Sequence, residues 1–188
     1  MYRDGGTNLS EFTLLYEGII GRKGDRLVEL PDGIGIFTRP AWDKDGGEAC
    51  KISFTKLPNL DQLTQAHVLS AREIGHFGQQ EWGGVNQLEL LRDGRIGVIG
   101  HVARINGGKK SYDAMSFIFD SKSGQVSDYQ LIAKYSQFPE VEAKTEELSE
   151  VIYIGGRHTT SDGDMIYCGK YDSASVRGKR RRPIFATA

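Results

Sequence analysis

Three cationic side chains stand at corresponding places in this sequence. Arg39, His101 and Lys170 each lie six or seven residues beyond the glycine of an Asp-Gly pair: Asp32-Gly33, Asp93-Gly94 and Asp162-Gly163. Brought together, like charges repel unless an anion sits among them. Arg offers a planar fork to phosphate oxygens, Lys a point charge, and His a donor whose protonation an anion favours. The fitting ligand is a phosphate or the pyrophosphate of a nucleotide sugar; the alternative is three charges that merely end strands in solvent. A second group of side chains suits a sugar. Asp172 lies two residues past Lys170 and shares its face if the strand persists, either to bind hydroxyls or to pair with the lysine. Tyr112 and Asp113 set an aromatic ring beside a carboxylate at a strand start. His158 follows Gly155-Gly156, where glycines let a ligand approach the backbone. Asn86 could hydrogen-bond substrate, and Trp82 either stacks on a sugar face or plugs the core. The four histidines, His67, His76, His101 and His158, show no paired ligand spacing, so neither a metal nor a cofactor is expected.

The elements that must carry these residues are hairpins. Residues 86–106 read as two short apolar runs around Asp93-Gly94, a turn pair that supplies the positive φ of a tight connection, with His101 where the second run stops. Residues 27–39 repeat the plan, and residues 151–170 carry a fainter copy. The units recur roughly every 60–70 residues, somewhat more than the ~40–50 of common propeller repeats. Stacked units of antiparallel strands point to an all-β chain and a β-propeller, with a β-sandwich as the other candidate. The expected units are a remnant at about 1–21, then 22–72, 85–135 and 149–188, forming a single partial domain of about three blades.

Along the chain, residues 1–10 read as a polar loop and 12–16 as a strand with no hairpin partner before it. A loop spans 41–48, a strand 51–55, one helical turn follows Asn59, and a further strand covers about 66–72. After the central hairpin come strands at 112–120 and 126–134, then a charged connector at 139–150. The basic run 178–183 is read as a solvated turn before a terminal apolar strand, 184–186.

Lys and Arg number 24 against 25 Asp and Glu, a formal charge of −1. That balance excludes a general nucleic-acid or anionic-membrane binder, so any cationic site must be local. No apolar run approaches the ~20 residues of a membrane span, and the first residues show no secretory pattern. Cys50 and Cys168 lie far apart in strand-like runs and read as buried free thiols, which places the protein in a reducing compartment, the cytoplasm.

Several of these segments resemble the mannoside phosphorylases with five-bladed propellers. The carriers are Gly100-His101-Val102 with Tyr112 to Asp120, residues 166–172, and Lys23-Gly24-Asp25-Arg26-Leu27 through Phe37-Thr38-Arg39-Pro40. The wording is closer still to a sister group, the mannosyltransferase–phosphorylases long catalogued as a domain of unknown function, which build and degrade β-1,2-linked mannan. The resemblance covers most of residues 22–175. It implies transfer of mannosyl units between a sugar phosphate or nucleotide sugar and a β-mannoside acceptor, with phosphorolysis in reverse. The implied partners are a mannose-containing oligosaccharide and phosphate, mannose 1-phosphate or a nucleotide sugar. Arg39 and His101 would then belong to the phosphate site, and Asp172, with Tyr112, to the sugar site. Lys170 departs from the pattern, which has a small residue there. The catalytic Asp of that pattern would lie upstream of Met1, so these residues alone are expected to be an inactive, open part of a propeller. A non-catalytic carbohydrate- or protein-binding propeller and a propeller glycoside hydrolase are the rival readings.

Overall fold

The computed structural model describes residues 2–3, 13–14, 17–18, 21–40, 51–75, 77–78 and 80–185. The expectations for residues 4–10, for the loop 41–48, and for Cys50 and His76 lie outside them. The described chain is all-β, with three sheets, none of which closes on itself. A two-stranded sheet pairs β1 (Tyr2–Arg3) with β2 (Thr13–Leu14), so the early strand does have a partner.

The second sheet is β3 (Arg22–Leu30), β4 (Gly33–Pro40), β5 (Ser53–Leu57) and β6 (Arg72–Glu73), all antiparallel. Its last strand is shorter than expected, because Gln65–Leu69 form a helical turn, α1, that buries Val68. The 3-10 turn at Leu60–Gln62 is capped by the Asn59 side chain, as expected.

The third sheet begins with an antiparallel meander: β7 (Trp82–Leu90), β8 (Ile96–Asn106), β9 (Lys109–Asp120) and β10 (Gln125–Ala133). It continues through β11 (Glu150–Thr160), β12 (Gly163–Lys170) and β13 (Ala174–Arg180). The join is a short parallel step in which Glu150 and Val151 of β11 face Ser111 and Tyr112 of β9. β8 runs on past its apolar run, so His101 is mid-strand and not terminal. Residues 178–180 of the basic run belong to edge strand β13, where charges discourage further pairing.

Burial explains how the sheets meet. β9 is buried on nearly every residue after Tyr112, which a strand covered on both faces requires. One face, with Met115, Phe117 and Phe119, joins Val28, Phe37 and Ile52 of the β3–β6 region, where Phe37, Phe54 and Phe119 pack with ring centroids 4.7–5.4 Å apart. The other face, with Ala114 and Ile118, joins Ile152, Ile154, Ile166 and Cys168. The meander is thus the middle layer. Replacing Phe117 by Ala would cost about 3–5 kcal/mol on both transfer and cavity grounds.

The first strands of the three units are bound to one another by side chains. Arg26 Nε of β3 donates to the Asn86 carbonyl of β7 at 3.0 Å. Gln87 of β7 accepts from the Arg157 backbone N–H of β11 at 2.6 Å. These contacts bring β3, β7 and β11 side by side, and the candidate site lies among them.

Candidate functional site

The site is built around an absence. Gly84 of β7 stands opposite His101 of β8 in the ladder. A Cβ there would lie 2.9 Å from His101 Cε1, 3.4 Å from its Nε2 and 3.0 Å from Arg39 Nε. Arg39, from the β3–β4 hairpin, and His101, from the central one, therefore converge over a glycine with no side chain between them. Both Arg39 Nε and His101 Nε2 are buried and lack a hydrogen-bond partner. A buried polar atom left unmatched costs about 1–3 kcal/mol, and two side by side are uncommon.

The His101 ring is fixed from several sides. β7 slips register between Val85 and Gln87, which takes Asn86 out of the ladder. The Asn86 Oδ1 then lies 2.9 Å from His101 Nδ1. Tyr112 of β9 stacks on the ring, with centroids 5.4 Å apart and planes 7° from parallel, and Tyr153 of β11 packs at 5.0 Å. The imidazole is only 2% exposed. Burial first, and then the charges of Arg39, Lys23 and Arg26, push its pKa from 6.5 down to about 3. Without an anion the ring is neutral, contrary to the expectation of three cations.

Lys23 and Arg39 are partners in the β3–β4 register, like charges facing each other, an unfavourable arrangement that an anion would relieve. Arg22, facing Pro40 one step further, has a buried Nη1 that also lacks a partner. Beside these groups opens a cleft of about 320 Å3 lined by Lys23, Arg39, Trp82, Ile105, Lys110 and Tyr112. Trp82, 5% exposed and edge-on to Tyr112, packs inward, the core alternative of the two, and also forms part of the cleft wall. Larger clefts of about 590 and 510 Å3 run along β13, but none of the partnerless buried atoms lines them.

The other expected residues fall elsewhere. Lys170 is fully buried, and its Nζ donates to the carbonyls of Phe138 at 3.0 Å and Pro139 at 2.8 Å, with Glu140 at 3.6 Å. Its charge is neutralised where it stands, so it is not a third open cation beside Arg39 and His101. Asp172 does not share its face, because β12 ends at Lys170 and the chain turns through Tyr171 and Asp172, both at positive φ (59° and 54°). Asp113 is buried and accepts from Arg104 Nη2 at 3.1 Å, a structural pair. His158 is exposed opposite Met165 and makes no described contact with Arg39, His101 or the cleft. Asn86 holds the histidine, a role the sequence reading missed. The signal for it was a polar residue in the partner strand of the histidine's own hairpin.

Among the described residues no group of three or more His, Cys, Asp or Glu side chains could hold a metal ion, and no helix is long and apolar enough to cross a membrane. What the geometry can do is bind an anion. Arg39 Nε supplies a donor, the neighbouring cations a positive field, and His101 Nε2 a nitrogen able to share a proton.

No curated protein matches the chain by sequence. Among solved structures, a mannose phosphorylase from Leishmania mexicana in complex with phosphate ion is 30% identical over 83% of this chain and 50% of its own, with a TM-score of 0.76. A GDP-Man-dependent mannosyltransferase from the same organism is 28% identical over 88% of this chain and 53% of its own, with a TM-score of 0.76. The β-1,2-mannobiose phosphorylase of Listeria innocua, 13% identical with a TM-score of 0.57 over 86% of this chain and 45% of its own, shares the fold. The chain spans about half the length of these structures. Residues 1–183 match the family described as a protein of unknown function (DUF1861), and the chain belongs to that family.

Proposed function

We propose that this chain carries the phosphate-binding part of an enzyme that moves mannosyl units between a sugar phosphate or nucleotide sugar and a β-mannoside acceptor, with phosphorolysis as the reverse direction. One observation carries the reading: Arg39 Nε and His101 Nε2 are buried, partnerless and gathered close over Gly84, with Arg39 also lining the cleft. In either direction negative charge builds on or leaves a phosphate oxygen, and a preformed donor in a cationic field stabilises that change. Two relatives of matching fold are described as a phosphate-bound mannose phosphorylase and a GDP-Man-dependent mannosyltransferase, which supports the same chemistry here. The stacked sheets are read as blades of a five-bladed propeller, with units near 22–72, 85–135 and 149–188 and a remnant at 1–21. Tyr112, on the cleft wall, is the aromatic floor for a mannosyl ring, and Asp172 remains a candidate for sugar hydroxyls. Residence in the cytoplasm is supported by the buried free thiol of Cys168.

The test is calorimetric titration of inorganic phosphate into the wild type and Arg39→Ala. Loss of one charge-assisted hydrogen bond should weaken binding by about 1.5–3 kcal/mol, or roughly 10- to 150-fold. Unchanged affinity in a folded Arg39→Ala protein would remove the site. Phosphate release from mannose 1-phosphate in the presence of a mannoside acceptor then distinguishes transfer from mere anion binding.

A further inference from the structure

We propose that Asn86 is a positioning residue that makes anion binding proton-coupled: it holds His101 with Nε2 as the free nitrogen, so the complex must carry one proton between Nε2 and the bound phosphate. The inference rests on the phosphate-site reading and specifies how that site chooses its ligand. An Asn carbonyl oxygen can only accept, so at 2.9 Å from Asn86 Oδ1 the His101 Nδ1 must carry hydrogen. In a neutral ring the second nitrogen then holds a lone pair, and that nitrogen is the buried, partnerless one. A lone pair facing an unprotonated phosphate oxygen is repulsive. The contact becomes a hydrogen bond if the phosphate arrives protonated or if the ring takes up a proton as it binds. For a phosphate monoester either route puts the same proton in the complex, whereas inorganic phosphate brings that proton with it as the dianion.

The surroundings hold the free ring neutral and leave the proton's arrival to the ligand. Arg39 faces His101 from β4, and Lys23 and Arg26 act on it from β3; these are the charges that disfavour an imidazolium. From β7 comes only the neutral Asn86, from β9 Tyr112 and from β11 Tyr153. An incoming dianion would offset the three cations and reverse that preference. The site is therefore tuned to a phosphate that bears or brings a proton, in preference to a fully deprotonated oxyanion.

Proton uptake on binding is measured by titrating methyl phosphate, a monoester that keeps no proton at about pH 8, and separately inorganic phosphate, whose dianion keeps one O–H, into the full chain in two buffers of different ionisation enthalpy. At about pH 8, above the second pKa of the monoester, the wild type should take up close to one proton with methyl phosphate, its affinity falling about tenfold per pH unit, and close to none with inorganic phosphate, whose own O–H supplies the bond. In His101→Gln, an amide N–H replaces the titrating nitrogen, so the binding that remains, weaker or not, should proceed without uptake. In Asn86→Asp, a carboxylate on Nδ1 holds the ring protonated beforehand, and uptake should likewise fall towards zero, a change that a purely structural asparagine would not produce. Arg39-dependent binding of methyl phosphate at about pH 8 without proton uptake in the wild type would overturn this proposal and leave the anion site standing. Phosphate binding absent at every pH would overturn both.

Discussion

Gly84→Ala is the sharpest perturbation of the site, because it adds one methyl group and removes no functional atom. The new Cβ would stand 2.9 Å from His101 Cε1 and 3.0 Å from Arg39 Nε, so something must shift. The histidine cannot yield easily, held as it is by Asn86 on one edge, the Tyr112 ring on one face and Tyr153 beside it. Arg39 can, since the atom in the way belongs to the far end of a flexible side chain that lines the open cleft. Over-packing of this kind costs about 1–3 kcal/mol in stability. Displacing Arg39 Nε should remove its bond to the anion, about another 1.5–3 kcal/mol, or roughly 10- to 150-fold in phosphate affinity. Calorimetry with phosphate and urea unfolding would read the two effects separately. Gly155→Ala is the control, because its Cβ would meet nothing closer than the Tyr167 carbonyl oxygen at 3.5 Å. A folded Gly84→Ala protein with phosphate affinity within twofold of wild type would refute the idea that Arg39 and His101 share the space above this glycine.

Two further outcomes concern stability. His101 has a folded pKa of about 3 against 6.5 in the unfolded chain, so the unfolded state binds the extra proton between those values. Stability is thus lost as pH falls from 6.5 towards 3, by about 1.4 kcal/mol per pH unit from this group, and the difference in urea midpoint between wild type and His101→Gln should shrink accordingly. Asp164 is fully buried and accepts from Arg157 Nη1, Thr159 Oγ1 and the Ile184 N–H, so Asp164→Ala should cost about 3–5 kcal/mol in urea unfolding and release the segment carrying Phe185.

The hairpins were legible because turn chemistry is local: Asp-Gly pairs between apolar runs give the positive φ at Gly33, Gly94 and Gly163. Strand ends were less so, and for a physical reason. β8 continues through Val102 and Ala103 because β9 pairs with it to Asn106, and that pairing is not written in the β8 sequence. The pairing of Arg39 with His101 was legible from phase and from family resemblance. Its supports were not. Asn86 reaches the histidine through a bulge, Tyr153 through a neighbouring unit, and Gly84 matters only because of what lies across the strand.

Lys170 shows what phase alone leaves undecided. All three cations leave their hairpins at corresponding positions, and the neighbours settle the fate of each charge. Opposite His101 stands a glycine, so Arg39 can close up against the ring while it still lines the cleft. Over Lys170 lies the connector after β10, whose carbonyls at Phe138 and Pro139 take two of its three protons, while the Tyr171 ring sits 4.5 Å from its Nζ. An ammonium satisfied in this way holds the connector against β12 and offers little to an anion. Lys170→Met keeps the stem and removes the charge. It should leave two carbonyls without a donor and lower stability by about 1–3 kcal/mol, yet phosphate affinity should stay within twofold of wild type. A folded Lys170→Met protein that lost tenfold or more in phosphate affinity would restore the third cation to the site, and would mean that the connector moves aside when the anion binds.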